Sequence, residues 1–189
     1  EASRLASSRG ARLLERELGL DLARIALLDG RPGEAASLAA GAADWYGERG
    51  MDVYQARALA LLTRALIAQG QPEKAQETAD LAQSLAEGSE DQELQLEVAT
   101  AVASAGASRR NETSLDPLRK AIAEAERRGY LTDGLAARIV LGKLQAQAGD
   151  PVGGRTVLED ARRRAEARGF KGLARRAAAL QTGPPAVPG

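Results

Sequence analysis

Arg24, Arg64 and Lys143 each precede a glycine by six residues, in Gly30-Arg31-Pro32, Gly70-Gln71-Pro72 and Gly149-Asp150-Pro151. Ser104 completes that column, and Arg57 stands in a neighbouring one with Glu17, Glu97 and Ala136. Cations repeated at one register could hold a peptide carboxylate, an acidic side chain or a phosphate, because guanidinium and ammonium groups make charge-assisted hydrogen bonds to oxyanions. The competing reading is a solvated helix face on which Glu17, Asp21 and nearby carboxylates neutralise these cations. Other reactive types are scarce. With no Cys and no His in 189 residues, thiol chemistry, disulfides, Cys/His zinc sites and imidazole bases are excluded. Carboxylates are numerous but fall on polar helix faces. Gly153-Gly154 follows no strand, so it is no phosphate loop, and no metal-ligand spacing occurs. The sequence therefore predicts no enzyme, no cofactor and no metal.

Whatever positions those cations must be built from small residues. Alanine makes up roughly a fifth of the chain, well above ordinary usage, and aromatics are only 3%. Close-packed helices suit that composition. Lys and Arg balance Asp and Glu at 26 each, so no global field favours nucleic acid. No apolar run approaches the ~20 residues that span a bilayer, and no signal peptide opens the chain. The expectation is no nucleic acid, no membrane insertion and a cytoplasmic location. A start at Glu1 rather than Met adds the expectation of a piece cut from a larger protein.

The corners belong to a repeat. Ala42, Ala82, Ala121 and Ala161 step by 40, 39 and 40 residues. Ala35, Ala75, Ser114 and Gly154 keep those steps, as do Ala39, Ala79, Leu118 and Leu158 and the column Leu22, Leu62, Val102, Leu141. A last column runs Gly10, Gly50, Glu90, Gly129, Gly169. Four units result, at about 10–49, 50–89, 90–128 and 129–168, with a cap at 170–181, in one repeat domain over 1–181. The tail 182–189, Pro- and Gly-rich, is expected to be flexible.

Each unit holds two helices whose apolar residues recur at three and four. The glycine ends helix A in the left-handed conformation, and the proline opens helix B, where a missing N–H costs nothing. The predicted helices are 11–29, 33–49, 52–69, 72–87, 91–106, 116–128, 131–148, 152–168 and 170–181. Glycines 50, 129 and 169 precede Met51, Tyr130 and Phe170, an apolar follower that suits a helix stop.

On these features the chain resembles the tetratricopeptide (TPR) and TPR-like repeat class over residues 10 to 181. The matching residues are the small ones five after the corner glycine (Ala35, Ala75, Gly154), those seven further on (Ala42, Ala82, Ala161), and Leu141-Gly142. Its period of about 40 exceeds the usual 34 and marks a long-repeat variant, with HEAT-like packing as the competitor. The resemblance implies an all-α solenoid of about four antiparallel helix pairs plus a C-terminal capping helix. It also implies a non-catalytic module that binds a peptide or protein in a concave groove lined by the A helices. The groove residues would be Arg24, Arg57, Arg64 and Lys143, and the ligand acidic or carboxylate-bearing. The stretch "GFKGLARRAAAL" is similar to the end of TPR arrays in large bacterial signalling proteins, which implies a scaffold role there. The alternative is a self-association domain, a homo-oligomer formed through an apolar patch at helix 170–181 or near Trp45.

Three further features have two readings each. Trp45, Tyr46 and Tyr54 form either an aromatic docking patch or packing filler between repeats. The basic run 161–176 is either a phosphate contact or a solvated face. The irregular corner at 106–117, with Arg109, Arg110 and Asn111, is a partner loop or a tolerated variation. The loop 107–115 within it is expected to be the least ordered internal segment.

Overall fold

The computed structural model describes residues 2–108 and 115–181, with side chains from residue 11 onward. The described residues form nine α-helices and no strand. They are α1 (Ala2–Leu28), α2 (Pro32–Gly47), α3 (Asp52–Ala68), α4 (Pro72–Ala86), α5 (Gln92–Ser108), α6 (Asp116–Arg127), α7 (Leu131–Gln147), α8 (Pro151–Ala167) and α9 (Lys171–Gln181). The all-helical class expected from composition is what the chain adopts. Arg109, Arg110, Asn111 and the tail 182–189 lie outside the described residues, as does most of the segment expected to be least ordered.

Glycines make the corners as the repeat requires. Gly30, Gly70 and Gly149 have φ of 72°, 70° and 98°, a region costly for any residue with a Cβ. At each, the N–H of the next residue reaches back five positions: Arg31 to the Ala26 carbonyl (2.8 Å), Gln71 to Leu66 (3.0 Å) and Asp150 to Gln145 (3.2 Å). This closure satisfies a carbonyl that the helix end would otherwise leave bare. Met51, Tyr130 and Phe170 make the same bond to Tyr46, Ala125 and Ala165. Pro32, Pro72 and Pro151 then start α2, α4 and α8.

Two members of the last column behave otherwise. Gly10 lies inside α1, which begins nine residues before the expected start, so no corner separates residues 2–9 from the first unit. A glycine in a helix costs only about 1 kcal/mol, and helix-compatible residues flank it. At Glu90 the corner falls two residues earlier, on Gly88 at φ 77°.

The chain divides into two compact units, residues 1–89 and 90–189. In the first, α1 packs on α2, α2 on α3 and α3 on α4, and α1 also meets α3. In the second, α5 to α9 pack in sequence, and α5 meets α7 as α7 meets α9. Odd-numbered helices thus touch across an intervening partner. Among the described residues, the backbones of α2 and α4 stay apart, as do those of α6 and α8, which meet only through the Arg164 and Glu126 side chains. Each unit has a closely spaced layer of odd helices and a more widely spaced layer of even ones.

Cores follow from side-chain size. α4 buries Ala75, Ala79, Ala82 and Ala86, and α2 buries Ala35, Ala39, Ala42, Ala43 and Tyr46. In the second unit Leu118 and Ile122 join Leu96, Leu115, Leu141 and Leu144. Ile139 packs with Leu158 and Ala177. Ala82 is fully buried, while Ala121 is only half-buried against the second core.

Candidate functional site

Arg24 sits on α1, Arg57 and Arg64 on α3, and Lys143 on α7. The first three therefore share the odd-helix layer of the first unit, where α1 meets α3. Lys143 holds the equivalent register in the second unit. Arg24 is half-buried, and its Nη1 donates to Asp21 Oδ1 at 2.8 Å, one turn back on the same helix. Arg57 is half-buried with a buried Nε, and both Arg64 and Lys143 are exposed. Ser104 is half-buried and donates its hydroxyl to the Thr100 carbonyl of its own helix at 2.7 Å. The local Arg24–Asp21 pair was open to sequence reasoning, which had named Asp21 as a neutralising carboxylate.

The aromatic residues converge as their spacing suggested. The Tyr46 ring lies 5.4 Å from Trp45, edge to face, and 5.4 Å from Tyr54. Tyr46 is fully buried, so this residue is core. Its hydroxyl has no hydrogen-bond partner among the described residues. Burial, with the Glu17 carboxylate, pushes the phenol's pKa up. Trp45 is half-buried and carries the Arg49 guanidinium over its ring at 4.1 Å, a cation–π contact. Arg49 Nη1 also donates to the Trp45 carbonyl at 2.9 Å, fixing that arrangement.

The first part of the basic run is paired with neighbouring carboxylates. Arg162 binds Glu159 and Glu166, both at 2.7 Å, and Arg164 binds Asp160 at 2.8 Å. Glu159 also accepts from Gln181 at 3.0 Å, joining α8 to α9. Hydrogen bonds from Arg162 and then Gln181 hold its carboxyl at about 2, far below the ordinary 4.5.

Sequence reasoning missed one polar group altogether. Glu126 on α6 takes a two-pronged contact from Arg138 on α7, with Nη2 at 2.8 and 2.9 Å from its two oxygens. Arg164 on α8 reaches the same carboxylate at 3.3 Å, and Asp160 lies 3.6 Å from Arg138. Two cations and two carboxylates thereby tie three helices together. Nothing periodic marks them.

No group of three or more Asp or Glu able to hold a metal occurs among the described residues, and no described helix is long and apolar enough to cross a membrane. The chain matches no protein-family model, and no curated protein or solved structure matches it.

Proposed function

We propose that this chain is a TPR-like α-solenoid that binds an extended peptide or protein segment on its odd-helix face, without catalysis. The observation that carries the reading is the layering. Odd helices approach one another while even helices do not, and the closer-spaced layer of a stacked array lies on the inside of its curve. Left-handed glycine corners recurring at the repeat period support the same reading.

The residues proposed for the ligand are Arg24, Arg57 and Arg64 in the first unit and Lys143 in the second. Their chemistry favours an acidic side chain or a free C-terminal carboxylate. Arg24 already has a carboxylate neighbour in Asp21, so ligand oxygens would share its guanidinium rather than find it vacant. A role within a larger bacterial signalling or scaffold protein, with a cytoplasmic location, belongs to the same proposal.

The test is a binding screen of the purified chain against peptides with free acidic C-termini, followed by titration of one hit. Arg64→Ala is expected to weaken that hit by about 5- to 100-fold, equivalent to about 1–3 kcal/mol for a charge-assisted hydrogen bond. Added salt should weaken it too. Binding that ignores both salt and Arg64→Ala would move the site away from this face.

A further inference from the structure

α1 exposes an apolar stripe. Leu14, Leu18, Leu22, Ile25 and Leu28 are between 49% and 80% exposed. Their spacings of four, four, three and three put them on one side of the helix. The opposite side of α1 is its buried one, carrying Leu20, Ala23 and Ala26. Exposed large apolar side chains elsewhere, such as Val53, Leu81, Val152 and Leu180, are scattered over separate helices. Single exposed leucines are ordinary, but a stripe of five along one helix is a docking surface.

The charges beside the stripe say what covers it. Glu17 and Arg24 lie seven residues apart along one border, with opposite signs. The centre of this pair lies between Leu20 and Asp21. We propose that the stripe binds a second copy of this chain, α1 against α1, antiparallel about a two-fold axis at that centre.

Such an axis sets Glu17 of each copy beside Arg24 of the other. It brings Leu18 next to Leu22 and Leu14 next to Ile25 and Leu28. A parallel pairing would leave the Glu17–Arg24 borders of the two copies on opposite flanks of the contact, so only the antiparallel one joins them. Arg24 keeps its bond to Asp21 and gains an outer partner. A two-fold contact of this kind is self-complementary and closes after two copies.

Sedimentation across a concentration series on the purified chain tests the proposal. At about 100 µM, a complex with micromolar Kd would be mostly assembled, and the expected mass is that of a dimer. Leu18→Glu should give a monomer at every concentration while its far-UV circular dichroism is unchanged. Glu17→Arg or Arg24→Glu alone should weaken the dimer by about tenfold, and the two together should restore it. The chain has no cysteine, so one introduced at residue 11 takes a spin label cleanly. Nine and a half residues from the axis, labels in the two copies should be about 28 Å apart at a rise of 1.5 Å per residue. A monomer at about 100 µM, a dimer indifferent to Leu18→Glu, or a double charge reversal that restores nothing would overturn the proposal.

Discussion

The two units apply one register with different side chains. In the first, the even-helix column is alanine, Ala39 and Ala79; in the second it is leucine, Leu118 and Leu158. A larger residue in a conserved packing position needs something smaller opposite it. Gly142 supplies that: a Cβ built there would lie 2.8 Å from Leu158 Cγ and 3.0 Å from the Gly154 carbonyl oxygen. Three and two periods earlier the same register holds Ala23 and Thr63, at the positions matched to Ala39 and Ala79, and one period earlier it holds Ala103, which shares a core with Leu118. Gly154 continues the theme, since its added Cβ would meet the Gly142 oxygen at 2.6 Å. The α7–α8 crossing is therefore a close backbone approach sealed by one leucine. The difference teaches that volume is shared between columns and is not a property of either alone.

The largest expected effect breaks that pairing. Leu158→Ala should destabilise by about 2–5 kcal/mol, because the backbones around the cavity are already in contact and cannot close further. Gly142→Ala should cost about 1–3 kcal/mol by overpacking. Together they recreate the Ala23–Ala39 pair of the first unit. Their combined cost should fall short of the sum by at least about 1 kcal/mol. The shortfall stays incomplete because the Gly154 oxygen remains 3.0 Å from the new methyl. Urea denaturation of the four variants completes the cycle; strict additivity would show that the two columns do not share volume.

Ala82→Leu enlarges a column that is alanine in both units. Ala82 is fully buried, so the leucine should overpack its surroundings by about 1–3 kcal/mol. Ala121→Leu, one period on, begins from a half-buried site and should cost clearly less. Equal midpoints for the two variants would mean that the shared register does not set the room available.

The corners and helix limits were readable in advance because they depend on local chemistry. Glycine at positive φ and proline at the first helical position announce themselves without tertiary context. Gly10 shows where this stops, since a glycine can also sit inside a helix when its neighbours continue the turn. Gly88 shows the other failure, a corner two residues off the column. The Glu126–Arg138–Asp160–Arg164 group could not be read because its members lie 4 to 38 residues apart at no common interval. Polar partners across helices need only meet in space. Among the cations placed in register, the sequence showed Asp21 within reach of Arg24, while the half-burial of Arg57 depends on packing.

The missed group allows a third test of the contrast between periodic and non-periodic contacts. Glu126 and Arg138 have side chains only 20% exposed. Glu126→Gln removes the charge from a bidentate contact and is expected to cost about 1 kcal/mol, discounted for the remaining solvent access. Arg138→Met in the same background should add little if the pair acts as a unit. A double-mutant cycle with no coupling would make the contact incidental.

Glu159 provides the smallest effect and the one with a defined pH window. Its carboxyl is held at about 2 in the folded chain, chiefly by the Arg162 hydrogen bonds and next by Gln181, against an ordinary 4.5. A depressed carboxylate pKa means that the unfolded chain takes up its proton first as pH falls. The stability Glu159 contributes is therefore fully present above about 4.5 and drains away as pH drops towards about 2. Glu159→Gln lacks this proton uptake and keeps a similar shape. The gap in urea midpoint between the two proteins should be constant from pH 7 to about 5 and narrow below that. Because Gln181 links Glu159 to α9, the narrowing should shrink in Gln181→Ala, whose Glu159 is held by Arg162 alone. A gap that stays constant through acid pH would show that the α8–α9 link leaves the carboxyl's proton affinity unchanged.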